Sequence, residues 1–157
     1  MTIVAENKKI SFNYQILEKF EAGIVLKGFE VKAVRSGKAN IRGGFVVFQK
    51  GEPVLININI APYQKGNVPK NYNPKRPRTL LLKKREIKYL IGKTQEKGLT
   101  LLPTKLYIKG GKIKVEIALC KGKKKFDKRE KIKKREIERE MKREMKKGKF
   151  VEIYRNL

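Results

Sequence analysis

Pro53-Val54-Leu55-Ile56-Asn57-Ile58-Asn59-Ile60 sets Val54, Ile56, Ile58 and Ile60 against Leu55, Asn57 and Asn59. A period of two predicts a half-buried β-strand. Upstream, Phe45 to Phe48 is a second apolar run, joined to the first by Gln49-Lys50-Gly51-Glu52, a loop with the length and glycine of a β-hairpin. Downstream, Leu101 to Ile108 and Lys112 to Leu119 flank Lys109-Gly110-Gly111. The second of these runs alternates Ile113, Val115, Ile117 and Leu119 against Lys112, Lys114 and Glu116, so a second hairpin is expected. Asn13 to Leu17 and Ala22 to Leu26 are short enough to be strands or lead-ins to a helix expected around Gly28 to Ser36.

Between the hairpins, Pro62 to Arg78 holds four prolines and two tyrosines and carries Lys65, Lys70, Lys75, Arg76 and Arg78. It reads as an irregular surface loop. Lys83 to Lys97 follows with Ile87, Leu90, Ile91 and Thr94 at helical spacing, and stops at Gly98, a normal left-handed helix end. The order is helix and hairpin, then helix and hairpin. Five or six short strands with two or three flanking α-helices suggest a mostly β body, an OB-like barrel whose closure removes exposed edges. A five-stranded sheet with helices on one face is the alternative.

The chain has 157 residues, 41 Lys and Arg, 15 Asp and Glu and no His, a net charge of +26. That length fits one compact body plus an appendage. So one-sided a charge calls for a polyanionic partner, nucleic acid first and an anionic membrane second. Heat adaptation adds both signs of charge and does not account for it. Without His there are no Ser-His or Cys-His nucleophiles and no His zinc sites. A single Cys excludes intrachain disulfides and points to a reducing cytosol. Neither a signal-peptide core nor a long apolar span is present, so a soluble cytoplasmic protein that stays off the membrane is expected. No carboxylate pair stands out as acid and base, and one Asp makes a two-metal site hard to assemble. The reading is a binding protein, with no catalytic residues, no metal and no cofactor.

Charge divides the chain near Lys121, giving a body over 1–120 and a basic tail over 121–157. Between Lys121 and Lys149 stand 16 Lys and Arg against 6 Asp and Glu, with too few apolar residues, among them Ile137 and Met141, to build a core. Asp127-Lys128-Arg129-Glu130 has the spacing of a capping box, which starts a helix after Asp127. Glu130 with Lys134 and Glu138 with Lys142 support that helix, while like-charge neighbours weaken it. The tail is therefore expected to be disordered alone and helical when bound to RNA. Phe126, an aromatic among cations, suits base stacking, the plainer reading being a staple onto residue 131, which is lysine. Glu21 is suited to accept from base amino groups, but its spacing fits an internal salt bridge as well or better. Glu30 reads as a helix-surface or ion-pair residue. Cys120 reads as a small buried side chain.

Three blocks together resemble the SsrA-binding protein family, also called small protein B. The first runs from Phe20-Glu21-Ala22-Gly23 to Gly28-Phe29-Glu30-Val31-Lys32, continued by Gly37-Lys38-Ala39-Asn40. The second is Leu80-Leu81-Leu82-Lys83-Lys84-Arg85-Glu86-Ile87, and the third Lys121-Gly122-Lys123-Lys124-Lys125-Phe126-Asp127-Lys128-Arg129. The resemblance implies an OB-like body that binds the tRNA-like domain of transfer-messenger RNA and delivers it to stalled ribosomes in trans-translation. It implies an RNA surface around Asn7, Lys8, Glu21, Leu81 and Lys83. It also implies a tail that occupies the decoding centre and the empty messenger path, where Gly122, Lys123, Lys124, Phe126, Asp127, Lys128 and Arg129 meet the ribosome and its small-subunit rRNA. Alanyl-tRNA synthetase and elongation factor Tu become partners through that RNA. A basic ribosomal protein or general RNA-binding protein remains the alternative. The chain departs from the family pattern at Leu106-Tyr107-Ile108, Gly110-Gly111, Cys120 and Arg42-Gly43-Gly44, and at Phe12 and Phe126, where some members have histidine.

Overall fold

The computed structural model describes residues 1–64, 66, 68–122 and 134–141. Its elements in chain order are β1 (Thr2–Glu6), α1 (Lys9–Asn13), β2 (Tyr14–Ile24), α2 (Gly28–Arg35), β3 (Ala39–Asn40), β4 (Phe45–Gln49), β5 (Glu52–Ile56), β6 (Asn59–Ile60), β7 (Arg78–Leu81), α3 (Lys84–Thr94), β8 (Leu99–Lys109) and β9 (Lys112–Gly122). An antiparallel seven-stranded sheet has the order β1-β8-β9-β2-β7-β5-β4, and β3 pairs with β6 beside it. Both expected hairpins form. In the first, Lys50 and Gly51 take positive φ (50° and 78°) and Gln49 pairs with Glu52, the two-residue turn whose twist suits a hairpin.

The mostly β body is as expected, and closure into a barrel is not: among the described residues no ladder joins the two ends of the sheet. β4 instead comes alongside β8 without pairing. It does so where Pro103 has no N–H to donate and the β8 register shifts between Pro103 and Lys105, so contact there is apolar rather than hydrogen-bonded. Gly44 makes the approach possible, since a Cβ at that position would stand 2.5 Å from Ile58 Cγ2 and 3.2 Å from Pro103 Cγ. The unusual Arg42-Gly43-Gly44 sequence is thus a close-packing requirement.

Two hydrophobic clusters use opposite faces of the same strands. The first takes Ala22, Val46, Leu55, Ile58, Ile60, Leu101, Leu106, Val115, Ile117 and Leu119, and the second Ile10, Phe45, Val47, Val54, Ile56, Leu102, Ala118 and Cys120. The expected half-buried strand over 53–60 is therefore corrected on two counts. It is buried on both faces, and it is broken by Asn57 at φ 60°. That left-handed residue inverts the alternation: Val54 and Ile56 enter the second cluster, whereas Ile58 and Ile60 join Leu55 in the first. The Asn57 Nδ2 donates to the Gly43 carbonyl at 2.9 Å, holding the kink.

The segment 62–78 is also less irregular than expected. Arg78 opens β7 and is fully buried, as is Glu30 of α2. Arg78 donates to Glu30 Oε2 from Nε at 3.1 Å and Nη2 at 2.6 Å, and from Nη1 to the Ile58 carbonyl at 3.2 Å. Arg76 forms a second ion pair with Glu30, and the Tyr72 hydroxyl lies 3.0 Å from Glu30 Oε2 and 2.9 Å from the Ile60 carbonyl. These two arginines pin the loop and are not phosphate ligands.

Candidate nucleic-acid interface

Register draws a line across the long strands. Glu6 lies opposite Lys105, Lys105 opposite Glu116, and Glu116 opposite Glu21. Two positions along β2, Gly23 faces Leu81 on one side and Lys114 on the other. Residues two apart in a strand share a face, so Lys19, Glu21 and Gly23 point the same way. A Cβ on Gly23 would stand 3.2 Å from Leu81 Cβ. Leu81 therefore lies over the space the glycine leaves, on the face of Glu21, and is 60% exposed.

The other expected contacts flank this row. Asn7 follows β1: its N–H donates to the Thr104 carbonyl at 2.9 Å, and its Oδ1 accepts from the Lys9 N–H at 3.2 Å where α1 begins. Lys8 and Lys83 are exposed. Lys83 immediately precedes α3, and its N–H donates to Glu86 Oε1 at 3.1 Å. The fold thus sets Asn7 and Lys8 at the β1–β8 end, Glu21 in the middle, and Leu81 with Lys83 at the β7 end.

Glu21 and Glu116 face each other as like charges, an unfavourable cross-strand pair, and separate donors offset it. Tyr107 donates its hydroxyl to Glu21 Oε2 at 2.5 Å and Lys109 its ammonium to the same oxygen at 3.3 Å, while Thr104 donates to Glu116 Oε2 at 2.6 Å. The Tyr107 bond, joined by Lys109 and Lys114 and opposed by slight burial, holds the Glu21 carboxyl below its ordinary range. Burial and then Glu21 push the Tyr107 phenol well above its own. The internal salt bridge anticipated for Glu21 exists, yet both bonds run to one oxygen and the side chain keeps 41% of its exposure. An oriented, ionised acceptor surrounded by Lys19, Lys105, Lys109 and Lys114 suits RNA, with cations for phosphates and a carboxylate for amino or hydroxyl donors. Reading the sequence did not single out Tyr107. Its signal was only the alternation that put Lys112, Lys114 and Glu116 on the wet face of β9.

Gly122 ends β9 and lines a cleft of about 490 Å³ with Asn7, Arg42, Phe45, Lys134 and Ile137 among its walls. Residues 134–141 are helical, and Ile137 and Met141 pack on the second cluster. The tail has too few apolar residues to form a core of its own; these two, one turn apart, complete one the body already has. Lys123, Lys124, Phe126, Asp127, Lys128 and Arg129 lie outside the described residues, as does the helix start assigned to Asp127. Cys120 is fully buried, and burial pushes its thiol up to about 12, so it is inert as expected. Among the described residues no cluster of His, Cys, Asp and Glu could hold a metal, and no helix is long and apolar enough to cross a membrane.

A family model described as SmpB protein matches residues 4–147. The chain belongs to the SmpB family. Similar family members include the SsrA-binding protein of Carboxydothermus hydrogenoformans, 56% identical over 137 residues that cover 87% of this chain and 91% of that protein. Another is the SsrA-binding protein of Thermosipho africanus, 52% identical over 150 residues covering 95% of this chain and 100% of that one. A solved structure described as "tmRNA-SmpB: a journey to the center of the bacterial ribosome" superimposes with a TM-score of 0.63 at 49% identity, covering 76% of this chain and 83% of that one.

Proposed function

We propose that this chain is a non-enzymatic binding factor of trans-translation. It binds the tRNA-like domain of transfer-messenger RNA and delivers it to stalled ribosomes, and its tail enters the decoding centre and the empty messenger path. Family membership supports the reading, as do the names of the relatives, which state SsrA binding, and of the similar structure, which joins transfer-messenger RNA to the ribosome. The observation that carries it here is the oriented Glu21 carboxylate beside exposed Leu81, flanked by lysines and continued by Asn7, Lys8 and Lys83. An OB-like body belongs to the same proposal, supported by the approach of β4 to β8. Gly122, Lys123, Lys124, Phe126, Asp127, Lys128 and Arg129 form a separate ribosome-directed unit, whose work is accommodation rather than RNA affinity.

An equilibrium titration tests this, using the tRNA-like domain with ordinary tRNA and a plain RNA duplex as competitors, across salt. Phosphate contacts alone give steep, sequence-blind salt dependence. Preference for the tRNA-like domain that persists at high salt is the expected result, and equal, salt-labile binding to all three overturns it in favour of a basic ribosomal or general RNA-binding protein. Alanine at Asp127, Lys128 and Arg129 is expected to spare RNA affinity and abolish peptide tagging. Glu21→Ala is expected to weaken RNA binding by roughly 1–3 kcal/mol.

A further inference from the structure

The helical segment 134–141 makes three contacts with the body that the RNA-binding row does not use. Ile137 and Met141 lie on the second cluster, and the Lys134 ammonium donates to Thr100 Oγ1 at 3.2 Å. The same ammonium sits 5.5 Å from the centroid of the Phe45 ring. A lysine stem laid on apolar surface with its charge over an aromatic face gains both packing and cation–π attraction. Arg135 and Arg139 are exposed on the same segment, so the helix turns apolar residues to the body and cations to solvent. Lys134 and Ile137 also line the cleft that Gly122 lines. The chain between Gly122 and Lys134 therefore leaves this cleft and comes back to it.

Resting on the trans-translation reading, we infer that residues 134–141 are a latch: the second-cluster face of the body binds this chain's own tail, and RNA that takes up its outer cations draws the tail off. The tail cannot run away from the body along a messenger path while Ile137 and Met141 remain seated. Two apolar side chains and one lysine make a seat that polyanionic ribosomal RNA can compete with. The same contacts keep a strongly cationic segment from engaging RNA indiscriminately before delivery.

Two experiments on the full chain test the latch. In the free protein, trypsin cleavage after Arg135 and Arg139 is followed by mass spectrometry for the parent and for the Ile137→Asp, Met141→Asp double variant. Seated helices resist proteases, so cleavage is expected to accelerate about tenfold, equivalent to about 1.4 kcal/mol. The body's melting curve serves as the control for folding, and Thr100→Val, which removes only the Lys134 acceptor, is expected to give a smaller increase in the same direction. Identical cleavage of parent and double variant overturns the proposal. For the second experiment, spin labels at Lys50→Cys and Glu140→Cys report the tail-to-body distance, buried Cys120 remaining unlabelled. The distance is expected to lengthen when the complex with transfer-messenger RNA joins stalled ribosomes, and an unchanged distance overturns the latch. The protease experiment needs neither that RNA nor ribosomes, so the seated helix stands or falls on cleavage even if the titration overturns the functional reading.

Discussion

Glu30 is a fully buried carboxylate held by two guanidiniums, Arg76 and Arg78, that come from 46 and 48 residues away. Burial opposes its ionisation, but Arg76, the Lys27 N–H and Arg78 outweigh burial and bring the carboxyl down to about 2 from 4.5. Because the folded value is the lower, the stability it contributes is complete above the unfolded value. That contribution is lost as pH falls from about 4.5 toward 2. Glu30→Gln is expected to lower unfolding free energy at neutral pH by about 3–5 kcal/mol, since it leaves buried guanidiniums unpaired. The variant's urea-unfolding stability should also depend less on pH through that acid window; parallel loss in parent and variant would assign the acid sensitivity elsewhere. On the proposed RNA face, Tyr107→Phe removes the hydroxyl that orients Glu21, and titration with the tRNA-like domain should register a loss of about 0.5–1.5 kcal/mol. Glu30 was legible as an ion-pair residue, but its partners were not. Nothing local marks a pair so far apart, and Arg76 and Arg78 resemble any other cations of a proline-rich loop until β7 draws one inside.

Among the elements, the two hairpins were legible because alternation and turn glycines are local signals, and α2 and α3 because their glycine and charge boundaries are. β1, β7 and α1 were not, each being four or five residues long and stabilised by partners distant in sequence, Ile108 for Thr2 and Gly23 for Leu81. The row carrying Glu21 therefore could not be assembled from spacing, and its membership came from family resemblance. The break after β5 was invisible for another reason: Asn57 continues the polar phase of the alternation while its backbone reverses it. Asn57→Val is expected to cost roughly 1–2 kcal/mol for the left-handed backbone, plus the bond to Gly43, whereas Asn57→Gly should lose little beyond that bond. Thermal melts of the two variants separate conformation from hydrogen bonding, and equal losses would refute the kink's importance.

At the scale of the whole molecule, a net charge of +26 makes salt act in opposite directions on folding and binding. Raising ionic strength from about 0.01 to about 0.15 M shortens the screening length from roughly 30 to roughly 8 Å. The free protein's melting temperature should rise as self-repulsion is screened, while affinity for RNA should fall as phosphate contacts weaken. Calorimetry and titration over one salt series check the pair; a melting temperature that falls with salt would mean that attractive ion pairs govern the fold. The spread of lysines over the body was plain in the sequence, but which of them share a face with Glu21 needed the register of β2, β8 and β9. That register also fixes a length. β9 contributes Glu116 to the row of Glu21 and ends at Gly122, where the tail begins, and at about 3.3 Å per residue these points stand roughly 20 Å apart. Flanked on both sides by strands as long as itself, β9 cannot stretch or pivot between them. It acts as a caliper: however the tail is arranged beyond Gly122, its origin keeps one distance and one angle to whatever is gripped at the row of Glu21.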